Sequence, residues 1–169
     1  MKRLEKIIFG LILTPIILYA IFYLYFAIGM IDTNSKKPIP ADIVLECVTD
    51  LKNRNKDLEL KNLELYYQQG RIHTNIYFEN NLSLDESKIV MKSLNEFILK
   101  DSLNKYFSEK HMSQLNIRAV FYSKDNSYYY NCPYYLYTND NSTVKNNGKT
   151  WYLMNGSSTG KVIEAINID

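Results

Sequence analysis

Residues 58–98 read LELKNLELYYQQGRIHTNIYFENNLSLDESKIVMKSLNEFI, and within them the apolar repeat changes character. Leu58 and Leu60 alternate with polar neighbours, the phase slips at Lys61-Asn62, and Leu63, Leu65 and Tyr67 alternate again. A period of two marks a half-buried strand, and a one-residue slip within it predicts a bulge. Gln68-Gln69-Gly70 is a turn, after which Ile72, Thr74, Ile76 and Phe78 share one face, so the first half reads as a hairpin. Ser83 and Glu86 then have the spacing of a capping box, in which each side chain satisfies a backbone N–H of the other. Val90, Met91, Leu94, Phe97 and Ile98 follow at three- and four-residue intervals, the stripe of an amphipathic helix. A hairpin leading directly into a helix places the chain in the α+β class.

The flanks extend that pattern. A helix can begin near Pro40, with Ile43, Val44, Cys47, Val48 and Leu51 on one face, and the polar run Lys52 to Asp57 ends it. Beyond residue 98 a shifted stripe of Leu99, Leu103, Tyr106 and Phe107 indicates a break or second short helix near Asp101-Ser102, closing at Lys110-His111. Ile117, Ala119 and Phe121 form one face of a strand, and Tyr128 to Tyr137 a second, interrupted by Pro133, which lacks a ladder donor. Asn139 to Lys149 reads as a polar loop, with final strands at Trp151 to Met154 and Lys161 to Ile168. Clustered elements predict a small antiparallel sheet of about 4–6 strands, with one long and one shorter helix packed on one face, in a single domain over 41–169.

The N-terminal part is different. Ile7 to Ile31 read IIFGLILTPIILYAIFYLYFAIGMI without a charged side chain, roughly 37 Å if all helical. This predicts a transmembrane helix over 7–31, after a basic cytoplasmic flank at 1–6 (Lys2, Arg3 and Lys6 against Glu5) and before a linker at 32–40, DTNSKKPIP. The apolar run exceeds the core of a cleaved signal peptide, so a retained signal anchor is expected. The implied location is a single-pass membrane protein with its N-terminus cytoplasmic and its domain outside, the membrane being one partner.

Removing Lys2, Arg3, Lys6 and Glu5 from the 20 basic and 18 acidic residues leaves 17 of each, so the remainder is neutral. A neutral domain without a basic run argues against nucleic acid as a partner. The two cysteines, Cys47 and Cys132, are a candidate disulfide; closing about 85 residues would stabilise by roughly 4–5 kcal/mol in the loop-entropy account. Buried free thiols are the alternative. Neither His73 nor His111 is tied by local sequence to a cysteine nucleophile, and no catalytic residue is assigned. The chain has no C-x-x-C, H-x-x-x-H or H-E-x-x-H, and Asn139 to Asn147 (NDNSTVKNN) lacks the core of a calcium loop. Asn155 to Gly160 lacks the lysine of a phosphate loop. No metal site and no cofactor are expected.

The anomaly is YYYNCPYYLY at 128–137, which puts Tyr128, Tyr130 and Tyr134 on one face and Tyr129, Tyr135 and Tyr137 on the other. Tyrosine offers rigid apolar area with a hydroxyl, which suits recognition. A membrane-anchored, non-enzymatic domain outside the cytoplasm is therefore expected to bind a partner protein or an envelope polymer such as a glycan. Its contacts are placed on Tyr129, Tyr135 and Tyr137, with Trp151. Two alternatives are a membrane-bound hydrolase whose site assembles only in three dimensions, and a small subunit of a membrane complex acting through its transmembrane helix.

Overall fold

The computed structural model of the chain describes residues 13–27, 35–110, 116–137, 142–157 and 159–168. The chain divides into a first unit within residues 1–35 and a second from Lys36 to Asp169. In the first unit, residues 13–27 form a helix, α1. Fifteen residues at 1.5 Å each reach about 22 Å, short of the ~30 Å hydrocarbon core. Among the described residues no helix is long and apolar enough to cross a membrane. The expected transmembrane helix over 7–31, the signal anchor and the single-pass membrane location are corrected accordingly. The flank 1–6 lies outside the described residues.

The second unit begins inside the expected linker. Lys37–Pro38 form a two-residue strand, β1, and Ile39 is buried in the core. Helix α2 (Ala41–Arg54) buries Cys47 and Leu51. Strands β2 (Leu60–Gln68) and β3 (Arg71–Phe78) form the expected hairpin, with its register shift between Leu60 and Asn62. Gln69 and Gly70 turn it with positive φ, 52° and 73°, a conformation cheap for glycine. Helix α3 (Leu84–Ile98) starts at the Ser83–Glu86 capping box, and α4 (Asp101–Glu109) is the short helix after the break. There follow β4 (Asn116–Tyr122), β5 (Ser127–Pro133), β6 (Tyr135–Tyr137), β7 (Thr143–Lys145), β8 (Thr150–Met154) and β9 (Val162–Asn167).

Seven strands form one sheet in the order β1-β2-β3-β4-β5-β8-β9, and β6-β7 form a separate pair. All neighbours in the large sheet are antiparallel except β3 and β4, which run parallel with Arg71 opposite Asn116 and Tyr77 opposite Tyr122. The expected antiparallel sheet of about 4–6 strands with one long and one shorter helix is thus, among the described residues, a seven-stranded mixed sheet in an α+β chain with four helices. The reason lies in the connection. Parallel neighbours need a crossover, and α3 and α4 supply it between the two strands.

Alternation along the strands separates two faces. Ile72, Ile76, Ala119, Phe121, Tyr130, Cys132, Trp151 and Leu153 point inward and join Cys47, Leu51, Val90, Leu94, Phe97, Leu103 and Phe107 of α2, α3 and α4 in one apolar core. All three helices therefore lie on the same side. Lys100 Nζ, 3.1 Å from an Asp50 oxygen, and an Arg54–Glu96 pair link the helices at the rim.

Candidate functional site

The other face of the sheet carries a continuous set of tyrosines and cations. Strand registers place Asn62, Tyr77, Tyr122 and Ser127 in one row across β2 to β5. The next row is Glu64, Asn75, Val120, Tyr129 and Met154, and beyond it lie Tyr66, His73, Arg118, Asn131 and Tyr152. Arg71 and Asn116 belong to the row after that. Tyr66, Arg71, His73, Tyr77, Arg118, Tyr122, Tyr129 and Tyr152 are all half-buried, as expected of side chains standing on a sheet beside one another.

Four of the rings are stacked in pairs across strands. Tyr77 and Tyr122 lie with centroids 4.9 Å apart and planes at 13°. Tyr66 and His73 are 5.0 Å apart at 2°. The Lys36 ammonium sits 4.5 Å from the Tyr66 centroid, a cation–π contact. A ring stacked on its neighbour offers a third group its edge and hydroxyl more readily than the face already in use.

The electrostatics of this face are one-sided. Lys36, Arg71 and Arg118 lie toward one end of the face, and the Glu64 carboxylate accepts a hydrogen bond from Asn75 Nδ2 at 3.1 Å. Among the described residues neither arginine forms an ion pair. Burial, then the neighbouring Arg71, weakens protonation of the Arg118 guanidinium, and its Nε is buried without a hydrogen-bond partner among the described residues. Burial and the cations Arg118, Arg71 and Lys36 push His73 down to about 4, so its imidazole is neutral near pH 7. The Tyr122 phenol is raised, first by burial and then by the phenols of Tyr77 and Tyr129.

The expected contact residues separate on inspection. Tyr129 lies on this outer face, opposite Val120 and Met154. Trp151 is on the inner face and fully buried; its Nε1–H donates to Asn95 Oδ1 at 2.9 Å. Tyr135 and Tyr137 belong to β6, opposite Lys145 and Thr143, and their side chains lie outside the described ones. His111 also lies outside the described residues.

Cys47 and Cys132 are free buried thiols, one in α2 and one in β5. Burial pushes each up to about 12, which keeps them protonated. The asparagine-rich loop has a structural part: Asn146, 1% exposed, donates through Nδ2 to the carbonyls of Pro133 and Thr150, both at 2.8 Å, and accepts from Thr150 N at 2.7 Å. It fastens the end of β5 to the start of β8. Among the described residues no three His, Cys, Asp or Glu side chains converge as a metal site requires.

Sequence reasoning did not single out Tyr66, Arg71, Tyr77, Arg118, Tyr122 or Tyr152. Their outward parity is readable strand by strand, but their meeting depends on β3 lying beside β4. No protein-family model, no curated protein and no solved structure matches the chain.

Proposed function

We propose that this is a non-enzymatic binding domain that docks a partner protein on the open face of its sheet. The observation that carries this is the combination of the stacked Tyr77–Tyr122 and Tyr66–His73 pairs with two arginines that form no ion pair among the described residues. Interfaces are enriched in tyrosine, which offers rigid amphipathic area at small entropic cost, and in arginine, whose planar fork of donors is pre-organised for carboxylates. The remaining chemistry agrees. The thiols are protonated and buried, and His73 is surrounded by cations and Tyr66 rather than by a nucleophile or an orienting carboxylate.

A protein is favoured over a glycan polymer by the stacking. Sugars pack on open ring faces, whereas Tyr66, His73, Tyr77 and Tyr122 turn a face toward one another. Their edges and hydroxyls suit the carbonyls and carboxylates of a polypeptide. The test is photocrosslinking in the producing cells, with benzoylphenylalanine placed at Tyr129 or Tyr152 and, as a control, at the exposed helix positions Lys52 or Lys92. Discrete protein products are expected from the sheet positions and not from the helix positions. No product from the sheet face, or equal products from both faces, overturns the proposal.

A further inference from the structure

We infer that the partner meets this face with an acidic peptide segment, one of whose carboxylates lies across Arg71 and Arg118. The inference rests on the docking role proposed above and names the chemistry of the partner.

The two guanidiniums stand diagonally across the parallel pair: Arg71 faces Asn116, and Arg118 is two residues further along the same strand. Like charges on a diagonal of one sheet face repel. Arg118 is in addition partly desolvated, and its Nε donor is unused among the described residues. A carboxylate between them removes the repulsion and takes a fork of N–H donors, the geometry in which guanidinium binds most strongly. The groups facing His73 are Arg118 on β4, Arg71 on its own strand, Lys36 before β1, and Tyr66 on β2, with a Gln68 backbone group hydrogen-bonded to it. None is acidic. The nearest carboxylate on the face, Glu64, is occupied by Asn75.

Nucleic acid would need open ring faces for its bases and an extended cationic track for its phosphates. Here the rings beside the cations, Tyr66 and His73, are stacked on each other, and the cations lie at one end of the face of a neutral domain. A short acidic peptide fits the patch better.

The experiment is fluorescence anisotropy of the full chain with labelled oligoglutamate of about ten residues, beside oligolysine and oligothymidylate of the same length, at low and high salt. Saturable, salt-sensitive binding of oligoglutamate is expected. Arg71→Gln and Arg118→Gln should each weaken it at least tenfold, by about the size of one charge-assisted contact. Lys52→Gln on the helical side should leave it unchanged. Arg118→Lys keeps the charge and loses the fork, so a several-fold weakening is expected in a fold no less stable than the parent. Tighter binding of oligothymidylate than of oligoglutamate overturns the acidic-peptide class. Absence of oligoglutamate binding while crosslinks persist at Tyr129 and Tyr152 overturns the inference but leaves the docking role. Loss of both removes both.

Discussion

The two faces of the sheet use tyrosine for opposite ends. On the inner face the Tyr128 hydroxyl donates to the Leu82 carbonyl at 3.0 Å, and the Tyr130 hydroxyl pairs with Ser87 Oγ at 2.6 Å. Tyr130 is wholly buried, and burial pushes its phenol up to about 12. On the outer face, among the described residues, the hydroxyls of Tyr122, Tyr129 and Tyr152 make no hydrogen bond. Charges divide the same way. Lys88 and Glu164, at the inner rim, pair at 2.8 Å, while Arg71 and Arg118 outside form no ion pair among the described residues. Where the sequence supplies partners for its polar groups, the groups hold the fold. Where it supplies none, they are available to something else.

That contrast can be broken by substitution. The largest effect is expected from Trp151→Ala, which opens a cavity under the sheet and orphans Asn95 Oδ1; stability should fall by about 3–5 kcal/mol. A loss below about 1 kcal/mol in urea unfolding would mean that the inner face is not the core assigned here. Asn146→Ala removes four side-chain hydrogen bonds, to Cys132 Sγ, the Pro133 carbonyl and both backbone groups of Thr150, and a loss of about 2–3 kcal/mol is expected by the same assay. Outside, Tyr77→Ser with Tyr122→Ser should cost only about 1 kcal/mol, the worth of one aromatic pair, yet abolish the crosslinks at Tyr129. A double variant that unfolds would instead make the outer face structural.

The smallest expected effect concerns pH. His73 titrates near 4 in the folded chain against about 6.5 when unfolded, so folding favours the neutral imidazole. This contribution is complete above pH 6.5 and is lost as the pH falls from there toward 4. His73→Gln should flatten that part of the stability profile, and an unchanged slope between pH 6.5 and 4 would show that the cations do not press on His73.

Local features were legible and assembly was not. The slip at Lys61-Asn62, the Ser83–Glu86 box and the break before Asp101 each depend on residues within one turn of each other, and each has its counterpart in the structure. Trp151 reads as an exposed aromatic until Asn95, 56 residues earlier, is seen to receive its N–H. The apolar run at 7–31 reads as a spanning helix from hydropathy alone, whereas among the described residues no helix is long and apolar enough to cross a membrane. The outer-face site was hidden for a related reason. Arg71 and Arg118 look like ordinary surface cations in their own strands, and only the parallel pairing of β3 with β4 brings them together.

That parallel pair is also where two runs of antiparallel neighbours meet. β1, β2 and β3 zip through a hairpin, and β4, β5, β8 and β9 through successive antiparallel neighbours, whereas Arg71 and Asn116 meet across 45 residues of chain. Long-range closure of this kind is slow compared with hairpin formation. The Tyr77–Tyr122 stack and the Arg71–Arg118 pair straddle that junction, whereas the Tyr66–His73 stack lies within β2 and β3. A chain in which β3 has not yet met β4 therefore lacks the Tyr77–Tyr122 stack and the Arg71–Arg118 pair, so this part of the surface exists only after the long-range closure.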